Sequence, residues 1–175
     1  MAISKATKKA ASKAVKNAVA EAKKDVAKSG AAAKAAVVLA PLVNLPASFD
    51  ALGARLDNAA RLQRAGVVVV FSMTGLAPHF AHKVRQSAGN AVAHGMPWDA
   101  ALAGLTANPA AVFGLGASRG RIETGMVADL VLWNGDPLEV TSAADQVWVG
   151  GKPMSMRSRQ TELLDRYLPQ AARQP

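Results

Sequence analysis

The sequence predicts an α/β fold with a basic helical segment in front of it, and three features of the 175 residues support this prediction. The run Val67–Phe71 is entirely apolar and mostly β-branched, which is typical of parallel-sheet strands that are buried on both faces. A stretch with helical spacing separates it from another apolar run, Ala36–Ala40, and this order indicates a βαβ unit. After Gly116, glycines separate short apolar runs, which indicates a C-terminal part rich in strands.

Composition limits the classes of protein to consider. A chain of 175 residues has room for one ordinary domain, and 50% hydrophobic residues are enough to form a packed core. No apolar run approaches the roughly 18 residues that span a bilayer, so no membrane-spanning helix is expected. Zero cysteines exclude disulfides and thiolate metal sites. Because the first residues lack the apolar core of a secretory signal, we expect a cytoplasmic protein with no membrane partner.

The positive charge is concentrated at the start of the chain. The net charge is +9, and residues 1–36 hold nine lysines against Glu21 and Asp25, which gives this segment +7. The same segment has fourteen alanines, no arginine and no aromatic residue, so it is predicted to be a helix of low complexity. We therefore place a domain boundary near residue 36 and call residues 1–36 the leader.

Lysines at three- and four-residue spacing form a stripe on the predicted leader helix, at Lys5, Lys9, Lys13 and Lys16. Such a stripe can lie along phosphates, and in composition the leader resembles the alanine- and lysine-rich tails of histone-like proteins. The alternative function is therefore weak, salt-sensitive binding of nucleic acid or another acidic partner. A second interpretation is a solvated helix, which the absence of stacking aromatics favours. A third is a targeting peptide, against which the absence of arginine argues.

The body of the chain opens with the predicted βαβ unit. Its first strand, Ala36–Ala40, is closed by Pro41. The helix is predicted over Phe49–Ala65 from its apolar spacing and ends before Gly66. The second strand is Val67–Phe71.

The remaining elements are shorter. Three more helices are predicted, at Ala81–Ala93, Trp98–Thr106 and Pro109–Phe113. The β-rich part contains apolar runs at Val127–Trp133 and Val147–Val149, and the pair Gly150-Gly151 predicts a hairpin turn after the second run. A charged helix, Arg157–Leu168, closes the chain.

Several motifs follow one another along the body: Asn44-Leu-Pro-Ala-Ser-Phe-Asp50, Arg55-Leu-Asp-Asn-Ala-Ala60, Leu102–Gly114 with Leu-Thr-Ala-Asn-Pro at its core, Gly120-Arg-Ile-Glu-Thr-Gly-Met-Val-Ala-Asp-Leu-Val-Leu-Trp-Asn-Gly-Asp-Pro137, and Val147-Trp-Val-Gly-Gly-Lys152. Together they resemble the C-terminal portion of the amidohydrolase superfamily, of the imidazolonepropionase-like kind. The resemblance extends over about Val37 to Leu168.

The resemblance implies a metal-dependent hydrolase that acts on non-peptide C–N bonds, built on a (β/α)₈ barrel, or TIM barrel, with a small β-sandwich. The resemblance implies that the seventh and eighth barrel strands are Val37–Asn44 and Val67–Ser72, and that Met126–Met154 supplies sandwich strands. The expected fold is a partial barrel of the last two β/α units plus C-terminal sandwich strands, divided into residues 37–116, 117–156 and a C-terminal helix and tail at 157–175.

The same resemblance implies a divalent metal, expected to be Zn²⁺. In the family an aspartate at the end of the eighth strand binds the metal and acts as general base. By count from the strand, Thr74 occupies that position, and the turn Ser72–Pro78 contains no carboxylate. A threonine hydroxyl does not serve as a base at neutral pH without a partner that takes its proton. We assign no metal ligand to this chain alone and expect it to be a fragment that is inactive by itself.

Other polar residues are candidates for the site. His79 and His82 have a spacing that can hold a metal, although a surface pair has the same spacing. The related enzymes also place a histidine shortly beyond the strand, so His79 is the second candidate catalytic residue. Asn44, which ends the expected seventh strand, is the candidate substrate-binding residue, because the carboxyl ends of barrel strands face the active site. His94 is predicted to end a helix.

Three acidic residues are given no chemical role. Asp50 and Asp57 are predicted to form an exposed charged stripe with Arg61 and Arg64 at four-residue spacing. Asp129 is structural in the family that the chain resembles.

Two apolar parallel strands leave open sheet edges, which stable proteins cover. Three explanations stay open: a second polypeptide that carries the first barrel units, a homo-oligomer, or the product of a truncated gene. The first two are the expected partners of this chain.

Overall fold

The computed structural model describes residues 35–41, 49, 52–73 and 78–171, and for 78–80 and 169–171 it describes the backbone only. The leader lysines Lys5, Lys9, Lys13 and Lys16, and the body residues Asn44, Asp50 and Thr74, lie outside these ranges. The chain divides into two compact units, which we call the N-terminal unit, up to Arg121, and the C-terminal unit, from Ile122 onward.

The N-terminal unit contains a two-stranded parallel sheet. Strands β1 (Ala36–Leu39) and β2 (Val68–Phe71) pair in register from Ala36 opposite Val68 to Leu39 opposite Phe71. The connection between them contains a helix, so the predicted βαβ unit is confirmed. The first strand ends at Leu39, before Pro41, and is shorter than the strand that the family resemblance implied.

The connecting helix, α1, spans Asn58–Arg64 and buries Ala59, Ala60 and Leu62. The predicted helix over Phe49–Ala65 was therefore too long, because the described residues 52–57 form turns and irregular chain. The predicted end was correct: Gly66 has φ +81°, a left-handed conformation that glycine adopts without a Cβ clash.

The three helices predicted after β2 are present: two are shorter than predicted, and the third begins two residues earlier and ends one residue earlier than predicted. A 3₁₀-helix over Pro78–Lys83 leads into α2 (Val84–Ala93), which is followed by α3 (Trp98–Ala103) and α4 (Ala107–Val112). As predicted, α2 ends at His94, whose backbone N–H donates to the Asn90 carbonyl, and Gly95 follows with φ +92°.

Small apolar side chains fill the core of the N-terminal unit. Its most buried members come from α1, β2, the later helices and the residues beside them: Ala59, Ala60, Val67, Val69, Val70, Phe71, Ala88, Ala91, Met96 and Ala101. The prediction that both faces of this sheet are buried is only partly correct. Val38 and Val68 lie on one face and are 48% and 38% exposed, because no described element covers that part of the sheet.

The outer edge of β2 is closed by the chain itself. Asn108 of α4 donates from Nδ2 to the Val69 carbonyl at 2.9 Å, and the Phe71 N–H donates to the Gly104 carbonyl at 3.1 Å. A Cβ on Gly104 would lie 2.8 Å from the Phe71 ring, so glycine permits this close approach. The sequence predicted an open sheet edge that another polypeptide or copy would cover, and at β2 the chain itself covers the edge.

Within the described ranges, the edge of β1 that faces away from β2 has no strand beside it. The Leu39 carbonyl accepts the Ser72 N–H, so Leu39 directs its backbone groups towards β2. In a parallel ladder alternate residues point in opposite directions, and Ala36 and Val38 therefore direct theirs away.

The C-terminal unit contains a three-stranded antiparallel sheet in the order β3 (Leu130–Trp133), β4 (Ala144–Val149) and β5 (Lys152–Pro153). The predicted hairpin turn is confirmed: Gly150 and Gly151 both have positive φ, 56° and 77°, as a tight turn between twisted strands requires.

The last helix, α5, spans Arg159–Ala171, so it begins two residues later and ends three residues later than predicted. Its start is fixed by two reciprocal bonds, because the Ser158 N–H donates to Thr161 Oγ1 at 2.9 Å and the Thr161 N–H donates to Ser158 Oγ at 3.2 Å. Among the described residues, no helix combines the length and the apolar character that crossing a membrane requires.

Candidate functional site

The candidate site follows the carboxyl ends of β1 and β2. Because the two strands are parallel and in register, their ends lie side by side, and the Ser72 N–H, which donates to the Leu39 carbonyl at 3.0 Å, joins them. Asn44 comes five residues after β1 and Thr74 three residues after β2, both outside the described residues. The two strand ends lie at one edge of the sheet, and the placement of Asn44 and Thr74 beyond them stays a prediction.

The two predicted site histidines belong to the 3₁₀-helix over Pro78–Lys83. Positions 79 and 82 are one turn apart in such a helix, which has three residues per turn. The His82 side chain is exposed, and the side chain of His79 lies outside the described part of the chain. The third histidine, His94, is exposed at the end of α2, away from the candidate site in sequence.

A divalent metal of the kind that the resemblance implies does not fit the described residues. Among them, no group of three or more histidine, aspartate or glutamate side chains could hold a metal ion. A catalytic zinc site takes three protein ligands and one open position. We therefore derive no chemical step through a metal for this chain.

Several described carboxylates have structural partners. Four accept hydrogen bonds at 2.7–3.0 Å from nearby groups: Asp57 from Arg55, Asp129 from the Gly150 N–H, Asp136 from the Leu138 N–H, and Asp165 from Arg157. These bonds fix turns and helix ends, so they account for these carboxylates without a catalytic role.

The Arg55–Asp57 pair precedes α1 and is bidentate, with Nε to Oδ1 at 2.7 Å and Nη2 to Oδ2 at 2.9 Å. The hydrogen bond from Arg55 is the main reason why the pKa of Asp57 is lowered from its ordinary value of 3.8. The predicted helical stripe of Asp57 with Arg61 and Arg64 was wrong, because Asp57 precedes the helix. Arg61 adds only a smaller charge effect to the pKa of Asp57.

Asp129 joins the start of β3 to the turn after β4. Its Oδ1 accepts the Gly150 N–H at 2.7 Å, and the Gly151 N–H donates to the Ala128 carbonyl at 2.9 Å. This geometry agrees with a structural role for Asp129.

Sequence reasoning missed the residues that close β2. Asn108 is part of the Leu-Thr-Ala-Asn-Pro motif, and its amide reaches a strand carbonyl 39 residues earlier in the chain. An asparagine directly before proline, inside a run of alanines, is the one local signal of a special role, and nothing in the local sequence identifies the carbonyl that it meets.

Comparison with protein families places most of these elements in one family. The model of the Amidohydrolase family matches residues 59–154, a range that includes elements of both units. The amidohydrolase tasK from Hapsidospora irregularis is 47% identical over 58 residues, which cover 33% of this chain and 6% of that protein.

Two solved amidohydrolase structures are similar to the chain. The amidohydrolase from Thermotoga maritima MSB8 superposes with a TM-score of 0.68 at 30% identity, over 78% of this chain and 35% of that one. A second amidohydrolase superposes with a TM-score of 0.51 at 24% identity, over 62% of this chain and 28% of that one, and supports the fold alone. The chain thus spans about a third or less of the length of the relatives that it matches, and its family match shows that it belongs to the amidohydrolase family.

Proposed function

We propose that this chain supplies the last two β/α units and the C-terminal sandwich strands of a metal-dependent amidohydrolase that hydrolyses non-peptide C–N bonds in small linear or cyclic amides. The observation that carries the proposal is the family match over residues 59–154, which runs without interruption from α1 through β2 to the β4–β5 hairpin. The parallel β1–β2 pair with a helix in its connection has the form of consecutive barrel units and supports the proposed barrel.

We further propose that the chain is inactive until another polypeptide completes the site. The whole sequence has three histidines and no cysteine, and the described residues offer no converging set of three ligands. Four described aspartates already accept structural hydrogen bonds. The metal and most of its ligands would therefore come with the complementing chain, while this chain contributes the ends of its two strands.

The proposal is tested by complementation. The full chain is co-expressed with the Thermotoga maritima amidohydrolase from which the matched C-terminal third has been removed, and hydrolysis of a panel of linear and cyclic amides is measured with added Zn²⁺. Each chain alone is the control. We expect turnover only when both chains are present. Turnover by this chain alone, or a stable complex without any turnover, would contradict the proposal.

The uneven charge distribution favours a second candidate function, in which the leader binds nucleic acid. Residues 1–36 carry +7, and the rest of the chain carries +2. Phosphate contacts release counterions, so such binding weakens steeply with salt. The test compares duplex DNA binding by the full chain and by a variant with Lys5, Lys9, Lys13 and Lys16 changed to Gln, at low and physiological salt. Equal binding by the two proteins would exclude this function.

A further inference from the structure

The connection between β3 and β4 contains an asparagine followed by glycine, Asn134-Gly135. The chain has five other asparagines, and they are followed by alanine, leucine or proline: Asn17, Asn44, Asn58, Asn90 and Asn108. Glycine has no Cβ to shield its own backbone nitrogen, so that nitrogen is the one most able to reach a neighbouring side-chain carbonyl.

The side-chain carbonyl of Asn134 accepts a hydrogen bond, whereas its amide nitrogen has no partner among the described residues. The Asn134 N–H donates to the Ala143 carbonyl at 3.1 Å, and the Ala143 N–H donates back to Asn134 Oδ1 at 2.9 Å. Within the described residues, neither Nδ2 of Asn134 nor the N–H of Gly135 makes a hydrogen bond. Both residues are exposed, so water reaches the amide.

We propose that Asn134 is a site of self-catalysed deamidation. The Gly135 nitrogen gives its proton to water or hydroxide and bonds to Cγ of Asn134, and the electron pair of the Cγ=Oδ1 bond moves onto Oδ1. The pair returns, the Cγ–Nδ2 bond breaks, and Nδ2 leaves with a proton from water as ammonia. Water then opens the resulting five-membered succinimide at either carbonyl, which gives aspartate or isoaspartate at position 134.

Two features of the loop favour this reaction. The Ala143 N–H points at Oδ1, the atom on which negative charge develops during attack, and a fixed donor at such an atom stabilises that charge. The leaving nitrogen, Nδ2, has no hydrogen bond to lose within the described residues.

The loop has little room for a side chain at position 135. A Cβ on Gly135 would lie 2.8 Å from Oγ of Ser142, and Ser142 is only 8% exposed. A larger residue at position 135 would therefore displace a buried hydroxyl. The aspartate product retains an acceptor for the Ala143 N–H, whereas isoaspartate adds a carbon to the main chain beside the irregular pairing at Leu132 and Trp133.

The test follows the intact chain during incubation at about pH 8.5, with tryptic peptides analysed by mass spectrometry. Peptide Ile122–Arg157 contains Asn134 as its one asparagine, and conversion makes it heavier by about 1 Da. Peptides Leu56–Arg61 and Gln86–Arg119 contain Asn58, Asn90 and Asn108 and serve as internal controls. We expect conversion in the first peptide, with both products present, and none in the controls.

A second comparison separates the role of the fold from that of the sequence. The same incubation is carried out with the chain unfolded in urea, and with Asn134→Gln, which cannot form the five-membered ring. Conversion in the folded wild type and none in Asn134→Gln supports the proposal. Conversion in urea alone would overturn it, because the fold would then block attack by Gly135. Conversion at similar rates in all the peptides would overturn it as well.

Discussion

Ser87 shows how one side chain can lower stability. It lies on α2 with no exposed surface, and its hydroxyl is the one buried side-chain group in the described part of the chain that has no hydrogen-bond partner. Burying an unpaired hydroxyl costs free energy, because the group loses water and gains nothing in return.

Ser87→Ala should therefore raise the free energy of unfolding by about 1 kcal/mol. Urea denaturation monitored by tryptophan fluorescence measures it. The matched control is Ser118→Ala, which removes a hydroxyl that does donate to the Leu115 carbonyl and should give no gain. A clear loss of stability in Ser87→Ala would show that the hydroxyl has a partner.

The Arg55–Asp57 pair gives a pH-dependent prediction. The pKa of Asp57 is lowered in the folded chain, so the contribution of the pair to stability is present above the ordinary value of 3.8 and is lost as pH falls through the lowered value. In Arg55→Gln the pKa of Asp57 should rise towards 3.8, because the main hydrogen bond is gone. NMR titration of the carboxyl carbon measures the change. Arg61→Gln should raise the pKa less, and equal shifts in the two variants would contradict the assignment.

Substitution of Thr74 tests whether position 74 belongs to the proposed active site. A carboxylate that acts as general base accelerates a reaction by roughly 10²–10⁴-fold, and the chain lacks one in the turn after β2. In the complementation assay, Thr74→Asp should increase amide hydrolysis at least about tenfold over wild type. Thr74→Asn has a similar shape without the charge and should give no increase. Equal rates of amide hydrolysis in the two variants would show that Thr74 does not belong to the site.

At the scale of elements, β2 depends on Asn108. The side chain of Asn108 supplies the donor that a neighbouring strand would otherwise give to the Val69 carbonyl. Asn108→Ala leaves that carbonyl without a partner and should lower the free energy of unfolding by about 1–2 kcal/mol. Asn90→Ala, which removes a bond to Gln86 within its own helix, is the control and should cost less. Equal losses of unfolding free energy in the two variants would show that the hydrogen bond from Asn108 to β2 stabilises the chain no more than a bond within one helix.

The sequence predicted the type and position of most elements more accurately than their lengths. The β-branched run before Ser72 and the pair Gly150-Gly151 have conformational preferences of their own, so a strand and a tight turn could be predicted there. The helix over Phe49–Ala65 was extended too far, because an apolar spacing continues through turns around Gly53. The closure of β2 by Asn108 depends on a contact between distant residues, which periodicity does not encode.

At the scale of the whole molecule, apolar side chains of β3 and α5 are exposed. Val131 and Leu132 are neighbours on β3, point to opposite faces of their sheet, and are 45% and 53% exposed. Leu163, Leu164, Tyr167 and Leu168 of α5 are also exposed. Sheets and amphipathic helices are stable when an apolar face packs against another layer, so we expect partner surfaces in the active assembly.

The sequence allowed the family and the strand ends of the candidate site to be predicted, because its motifs and apolar strands carry that information locally. In the complete enzyme that we propose, the ligands of a metal come together only through the arrangement of several strands, and the described residues include two of the proposed barrel strands. Asn44 and Thr74 could therefore be assigned to strand ends, and a complete site could not be assembled around them.

Zinc titration of the full chain tests the central claim most directly. Isothermal titration and metal analysis after gel filtration would compare the chain alone with the complex that it forms with the shortened Thermotoga maritima amidohydrolase. We expect less than about 0.1 Zn²⁺ retained per isolated chain and at least about one per complex. One tightly retained Zn²⁺ per isolated chain, together with amide hydrolysis, would contradict it.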